Sequence, residues 1–140
     1  MTRTYVDANV LIAAFQGDED TSRRAMEVLD DPRRKLVVSG YLRLEVLPKP
    51  SFHRRQDEVE FMNTILENAA ENVPSNTDLT TSAINLAAQY DLTPIDALHA
   101  GAAVTAGVDE LVTMEKPTKP LCRVTEVRVV SLHSSAMESQ

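Results

Sequence analysis

The stretch Thr4-Tyr5-Val6-Asp7-Ala8-Asn9-Val10-Leu11-Ile12 decides the fold. It begins with residues that favour an extended strand and passes, at Asp7, into an apolar pattern with helical spacing. In open α/β sheets, ligands bind just beyond the carboxyl ends of the strands. Asp7 is therefore a candidate site residue. The alternative is that Asp7 only caps the helix that follows, because Asp is among the preferred N-cap residues.

Length and composition predict one globular domain. A chain of 140 residues with 43% hydrophobic and 25% charged residues can bury a sizeable core. No apolar run approaches a membrane span, and the chain starts with a strand pattern rather than a signal peptide. Cys122 is the single cysteine, which excludes a disulfide framework and favours a reducing, cytoplasmic setting. We expect the domain at residues 1–132, followed by a polar, fraying tail at 133–140.

The charge is unevenly distributed along the chain. The net charge of -7 by itself argues against a nucleic-acid partner. Residues 21–55, however, carry nine basic side chains against four acidic ones, whereas the rest carries five against seventeen. Such a local basic surface can bind phosphate backbones even on an acidic protein, and Arg54 and Arg55 are candidate contacts to RNA. The alternative is a solvated face with ordinary ion pairs.

Helix and strand patterns alternate, which predicts an α/β domain with a largely parallel sheet. After the opening strand and the helix from Ala8 to about Phe15, a second helix is expected to be capped by Asp20 or Thr21, with Arg23 and Arg24 facing water. The remaining predicted elements are strand 36–39, helix 41–47, an exposed connection at 51–55, helix 58–71, a helix capped by Thr77, a helix capped by Thr93, strand 110–115 and strand 125–132.

Further acids lie beside the predicted strand ends. Glu45 sits in an otherwise apolar helix, where an unpaired buried carboxylate costs several kcal/mol and needs a cation or a set of donors. A salt bridge to a nearby Arg is the structural alternative. Glu115 follows the strand that ends in Thr113.

Asp96 opens a helix of small, apolar residues. Thr93, Pro94 and Asp96 form a capping-box pattern, which would explain Asp96 without any chemistry. If the helix start points at the active edge of the sheet, Asp96 lies near Asp7. For His99, one turn further on, we favour packing or hydrogen bonding over metal ligation or proton transfer. Four carboxylates at one edge would repel one another without a hard cation, and oxygen-rich sites suit Mg²⁺ or Mn²⁺.

Four pieces, in this order, resemble the PIN domain, and they span nearly the whole chain. They are residues 6–12, Ser39 followed by Glu45, residues 95–100, and strand 111–112 leading into Thr113 and Glu115. The size is similar to that of the single-domain VapC-type toxin ribonucleases of toxin–antitoxin pairs. The chain differs at Glu115, where the family commonly has Asp.

The resemblance implies a three-layer α/β/α sandwich around a mainly parallel sheet, and Mg²⁺- or Mn²⁺-dependent cleavage of single-stranded RNA. It implies that Asp7, Glu45 and Asp96 hold the metal, with Glu115 as a fourth catalytic acid. Asn9, Ser39 and Thr113 would donate hydrogen bonds to these acids or bind water. A cognate antitoxin and a homodimer are the partners that the resemblance implies.

Two other classes remain open at this point. One is a PIN-like fold that binds RNA or protein without cleaving. The other is a receiver-type phospho-acceptor module. The acids at the strand ends of this chain, together with Thr113 and Lys116, resemble the site of a receiver domain. A receiver needs an acceptor Asp at the end of its central strand, and the strand considered central ends in Ser39.

Overall fold

The computed structural model describes the backbone of residues 1–138 and the side chains of residues 1–136. The strands are β1 (Thr2–Val6), β2 (Arg34–Ser39), β3 (Glu71–Val73), β4 (Glu110–Thr113) and β5 (Arg128–Ser131). The helices are α1 (Ala8–Gln16), α2 (Glu19–Leu29), α3 (Gly40–Val46), α4 (Pro48–Phe52), α5 (Gln56–Glu67), α6 (Thr77–Tyr90), α7 (Pro94–Ala106) and α8 (Ser134–Glu138), with a 3₁₀ helix at Pro120–Arg123. None of these helices is long and apolar enough to cross a bilayer.

The five strands form one all-parallel sheet in the order β3-β2-β1-β4-β5. In the central strand, β1, Tyr5 pairs with Val37 on one side and with Leu111 on the other. All three side chains are fully buried, as expected for a sheet covered on both faces. The predicted α/β/α sandwich is confirmed. A receiver domain has the strand order 2-1-3-4-5, which differs from the order 3-2-1-4-5 observed here, so the receiver alternative is excluded. The assumption that the strand ending at Ser39 is the central one was wrong, because β1 is central.

The strand order reverses direction between β1 and β4. The chain moves outward from β1 to β2 and β3, and then crosses to β4 on the other side of β1. Right-handed crossovers place α1, α2 and α5 on one face and α6 and α7 on the opposite face. The α6–α7 pair packs so tightly that a Cβ at Gly101 would lie 3.0 Å from the Leu79 carbonyl oxygen. The reversal point is where ligands bind in such sheets.

Several predicted boundaries were wrong by a few residues. Asp18, not Asp20 or Thr21, caps α2 by accepting a hydrogen bond from the Thr21 N–H at 2.8 Å. Asn76, not Thr77, caps α6.

The predicted helix over 58–71 is shorter in the structure. It ends at Glu67, because residues 71–73 form the edge strand β3 and pair with β2. Residues 48–52 form a short helix, so the predicted connection at 51–55 begins inside α4.

Two further predictions, one about Arg24 and one about the C-terminal tail, also need correction. Arg24 was expected to face water but is buried, because its guanidinium donates to the Leu132 carbonyl and lies 3.2 Å from Asp20. The first part of the tail forms a short helix, α8, rather than a frayed end. Ser139 and Gln140 of that predicted tail lie outside the described residues.

Candidate metal centre at the carboxyl edge of the sheet

Asp7 lies at the point where the strand order reverses. It follows β1 directly, its side chain is 6% exposed, and its backbone N–H donates to the Val112 carbonyl of the neighbouring strand β4. One carboxylate oxygen accepts a hydrogen bond from the Ala8 N–H at 2.8 Å, and the other accepts one from the Thr113 hydroxyl at 3.0 Å. Asp7 is therefore both the cap of α1 and a fixed acid at the sheet edge, so the two interpretations of the sequence are compatible.

Asn9 and Thr113 connect the start of α1 to the end of β4. The Met114 N–H donates to the Asn9 side-chain oxygen at 3.0 Å, and the Asn9 amide nitrogen lies 3.3 Å from the Thr113 hydroxyl. The Glu115 N–H donates to the same hydroxyl at 3.1 Å. These contacts fix the rotamer of Thr113, which in turn orients the Asp7 carboxylate.

Glu45 reaches the same place from α3 and meets His99 from α7. The His99 Nε2 atom is hydrogen-bonded to a Glu45 carboxylate oxygen and lies 3.9 Å from the Asp7 Oδ1 atom. One ligand atom from each of the three residues lies within 4.8 Å of the others. His99 is fully buried, whereas the Glu45 side chain is 31% exposed. The predicted hydrogen-bonding role of His99 is present, and Glu45 has a His partner rather than the Arg considered as an alternative.

A buried hydroxyl network lies beneath this group. The Tyr5 hydroxyl lies 2.7 Å from the Ser39 Oγ atom and 2.7 Å from the His99 Nδ1 atom. Ser39, which was expected to contact the acids or their water, instead contacts Tyr5. Tyr5 itself was missed from the sequence, although a buried Tyr needs a hydrogen-bond partner and its position in the central strand was a usable signal.

Asp96 opens α7 close to the other acids. The Thr93 side chain accepts a hydrogen bond from the Asp96 N–H at 3.4 Å, as the capping pattern predicted. Burial raises the pKa of the Asp96 carboxyl, and Glu45 raises it further. Asp96 thus shares the electrostatic environment of the group. The tight cluster of ligand atoms comprises Asp7, Glu45 and His99, and Asp96 is not a member of it.

Burial, and to a smaller extent the neighbouring acids, raises the pKa values of Asp7 and Asp96. Burial is the largest cause that raises the pKa of Asp7 to about 6; His99 opposes the shift, and Asp96 and Glu45 add to it. The Cys122 thiol, in the 3₁₀ helix, has a pKa raised by burial and by the charges of Glu115, Asp7 and Asp96. Glu115 therefore lies on the same side of the fold, beyond the tight cluster.

No Lys or Arg within residues 1–136 forms an ion pair with any of these four acids. Asp7 is the buried member of the four, and His99 is the one basic side chain of the described residues paired with it or with Glu45, so a bound cation would stabilise the ionised acids. The donors are mostly carboxylate oxygens, which suit Mg²⁺ or Mn²⁺. This arrangement fits a divalent cation.

The candidate RNA contacts lie on the segment after α4. Arg54 and Arg55 are exposed, and Arg54 has a left-handed backbone with φ 55°. The Arg55 Nε atom lies 3.5 Å from a carboxylate oxygen of Glu58, whereas Arg54 forms no salt bridge among the described residues. The neighbouring Phe52 ring is 82% exposed. This surface therefore presents a cation and an aromatic ring to solvent.

The comparisons with known proteins agree with this fold. The family model of the PIN domain matches residues 4–118. VapBC2 from Rickettsia felis, bound to a promoter DNA fragment, is similar in structure with a TM-score of 0.69 and 12% identity, over 93% of this chain and 98% of that chain. A toxin–antitoxin complex from Klebsiella pneumoniae gives 0.67 and 22%, over 91% and 96%.

DNA-bound VapBC from Salmonella typhimurium gives a TM-score of 0.57 and 15% identity, over 94% of this chain and 98% of that chain. No protein of curated function matches the chain in sequence. The structural likenesses show the fold, and the family model covers most of the chain. The protein therefore belongs to the PIN domain family.

Proposed function

We propose that the protein is a Mg²⁺- or Mn²⁺-dependent endoribonuclease that cleaves single-stranded RNA, and that it is the toxin of a VapC-type toxin–antitoxin pair. One observation carries the proposal. At the ligand-binding edge of a PIN-domain sheet, acidic side chains converge, and no Lys or Arg of the described part of the chain is paired with them. A metal-dependent nuclease needs this arrangement, whereas a purely structural edge would neutralise or disperse these charges.

The proposed metal ligands are Asp7, Glu45 and Asp96. When bound, the ion would lower the pKa of a coordinated water and shield charge on the scissile phosphate. Asp7 is held rigidly by the Ala8 N–H and the Thr113 hydroxyl, so its carboxylate needs no reorganisation to serve as a ligand. Glu45 is partly exposed and faces the side from which a substrate can approach.

Covalent catalysis has little support in this site. The Ser39 hydroxyl is buried and contacts Tyr5 rather than a base, and the raised pKa of Cys122 keeps its thiol protonated at neutral pH. Attack by water is therefore the reaction that the side chains support, with Glu115 acting at a distance from the tight cluster. The family resemblance implies products with a 5′-phosphate and a 3′-hydroxyl.

The segment after α4 is the proposed place for RNA. The exposed Phe52 ring can stack on an unpaired base, and Arg54 and Arg55 can contact phosphates. Single strands, whose bases are accessible, suit such a surface better than a duplex does.

An antitoxin is the proposed protein partner, since the similar solved structures include toxin–antitoxin complexes. A groove of about 690 Å³ between α2 and α5 could receive an antitoxin segment. Its apolar lining includes Phe15, Met26, Leu29, Phe61 and Ile65. We also propose a homodimer, for which Leu44 and Ile84, both more than 60% exposed, are candidate contacts. Light scattering of the purified chain measures this directly.

A cleavage assay on a panel of single-stranded RNAs tests the nuclease proposal. The purified chain should cleave internally with Mg²⁺ and not with EDTA, and Asp7→Asn and Asp96→Asn should each abolish cleavage while circular dichroism shows a retained fold. Full activity in either variant contradicts its assignment. If the parent binds these RNAs but never cleaves them with Mg²⁺ or Mn²⁺, the binding-only alternative is correct.

A further inference from the structure

We propose that Tyr5 and Ser39 are positioning residues that hold the His99 ring, so that its Nε2–H donates a hydrogen bond to Glu45 and the Nε2 atom does not bind the metal. This inference rests on the proposed function only in giving Glu45 a role as metal ligand. In the buried network beneath the site, each hydrogen bond is then donated towards the site: from Ser39 to Tyr5, from Tyr5 to His99, and from His99 to Glu45.

The direction follows from counting donors and acceptors. His99 is fully buried, and each of its ring nitrogens has one partner: Tyr5 at Nδ1 and Glu45 at Nε2. An ionised carboxylate can only accept, so the ring carries a hydrogen on Nε2 whether it is neutral or charged. In the neutral ring the Nδ1 atom then accepts from the Tyr5 hydroxyl. That hydroxyl, in turn, accepts from Ser39 at 2.7 Å.

The environment of Tyr5 supports its role as donor. The Tyr5 hydroxyl lies 2.7 Å from both the His99 Nδ1 atom and the Ser39 Oγ atom, so it can donate to the ring and accept from Ser39 at the same time. The ring is fully buried in the central strand. Its hydroxyl therefore has a fixed position from which to meet α7.

Ser39 provides a second, independent observation. It occupies the N-cap position of α3, where a Ser side chain normally accepts a hydrogen bond from the helix backbone, but its hydroxyl makes no such bond. It contacts Tyr5 instead. The stabilisation that a cap would give to α3 is thus forgone in favour of the buried network.

The opposite direction would have a different chemical consequence. If His99 carried its hydrogen on Nδ1, it would donate to the Tyr5 oxygen, and the Nε2 lone pair could bind a metal ion. Because an imidazole ligand suits zinc and other transition metals, the Nε2–H tautomer keeps the site all-oxygen and suited to Mg²⁺ or Mn²⁺. The network therefore bears on which ion the site selects.

The direct test is long-range ¹H–¹⁵N NMR of the His99 ring in the full chain, first without metal and then with Mg²⁺ alone. We expect the Nε2–H tautomer in both states. An Nδ1–H tautomer in the metal-free chain, or a switch to it when Mg²⁺ is added, overturns the proposal. The metal-free spectrum is independent of cleavage, so the proposed function can fail while this inference stands.

Variants test the consequence for metal binding. Tyr5→Phe keeps the ring but removes the hydroxyl, and should weaken Mg²⁺ affinity about 10-fold, the lower end of the effect of partners that orient ligands. Tyr90→Phe is the matched control, since the Tyr90 hydroxyl contacts Thr125 and Glu126 on another part of the surface. Its Mg²⁺ affinity should equal that of the parent. Equal affinity in Tyr5→Phe contradicts the positioning role.

Replacing His99 separates donation from ligation. His99→Gln retains a side-chain N–H that can donate to Glu45, whereas His99→Leu does not. We expect Mg²⁺ affinity and selectivity for Mg²⁺ over Zn²⁺ to survive in His99→Gln and Mg²⁺ affinity to fall in His99→Leu, with circular dichroism confirming the fold of each. If His99→Leu binds Mg²⁺ as the parent does, the hydrogen bond to Glu45 is not needed and the proposal is wrong.

Discussion

The charge of Asp7 should destabilise the metal-free protein, so Asp7→Asn should unfold at higher denaturant concentration than the parent at pH 8 in EDTA. The pKa of this carboxyl rises from the ordinary value of 3.8 to about 6, chiefly because of burial. A shift of about two pKa units corresponds to about 3 kcal/mol at ~1.4 kcal/mol per unit. The charge of Asp7 lowers the free energy of unfolding of the parent by an amount of this order when the pH is above the pKa of Asp7 in the folded chain.

The substitution also changes two hydrogen bonds. Asn can still accept from the Ala8 N–H, because Asn is as good a cap as Asp. The Thr113 hydroxyl loses a charged acceptor, but this hydrogen bond lowers the pKa of Asp7 and is therefore already included in the net shift to about 6. We therefore expect a gain of up to about 3 kcal/mol at pH 8.

The gain should depend on pH in a defined direction. Below 3.8 both the folded and the unfolded chains carry a protonated Asp7, so its burial as a charge costs nothing. As the pH rises towards about 6, the unfolded chain releases its proton first, and the parent loses stability relative to Asp7→Asn. Urea unfolding at pH 4, 5, 6 and 8 measures this. In excess Mg²⁺ the order should reverse, because only the parent gains stability from the ion.

Asp18→Asn is the matched control. Asp18 also caps a helix, but it is exposed and its pKa is lowered, first by the hydrogen bond from the Thr21 N–H. The same substitution there should give no gain at pH 8. The reasoning is refuted if Asp7→Asn is less stable than the parent at pH 8 in EDTA, or if its gain is the same at pH 4 and pH 8.

Two further predictions concern residues around the metal centre. Glu115→Ala should lower cleavage about 10–100-fold without abolishing it, because the longer Glu side chain would reach the ion through a water rather than directly, and Glu115→Asp should keep or raise the rate; a complete loss in Glu115→Asp would show that the longer side chain is required. Replacing Arg54 and Arg55 with Ala should weaken RNA binding and flatten its salt dependence, as measured by fluorescence anisotropy, without changing Mg²⁺ affinity. The control replaces the exposed Arg123 and Arg128 with Ala and should bind RNA as the parent does. If the salt dependence of RNA binding is unchanged when Arg54 and Arg55 are replaced, these two residues form only a solvated face.

The strand-end acids could be predicted because their context is local. The apolar residues before Asp7 and the helical spacing after it are both read within nine residues, and the cap of α7 is encoded by Thr93 and Pro94. The structure places these features where the patterns predicted them. Local signals of this kind also identified β1 as a strand and located the main helices, but they did not show that β1 is the central strand.

Contacts between distant residues could not be predicted. Arg24 is buried because a carbonyl 108 residues away, at Leu132, accepts its hydrogen bond. The edge strand β3 has one buried residue, Val73, so its pairing with β2 rather than its own pattern defines it.

The site has the same limit. The link between Tyr5 and His99 spans 94 residues, and the contact between His99 and Glu45 spans 54. Each side chain had a plausible local explanation, and only the fold selects the partner.

The central claim is that a divalent cation binds between Asp7, Glu45 and Asp96. Anomalous diffraction from a crystal of the full chain grown with Mn²⁺ locates such an ion directly, and Asp7→Asn crystals grown in the same way provide the control. We expect an anomalous peak in direct coordination with carboxylate oxygens of Asp7, Glu45 and Asp96, with the His99 ring outside the coordination shell and no such peak in the control. Full Mn²⁺ occupancy elsewhere, with no density at this edge of the sheet, would contradict it.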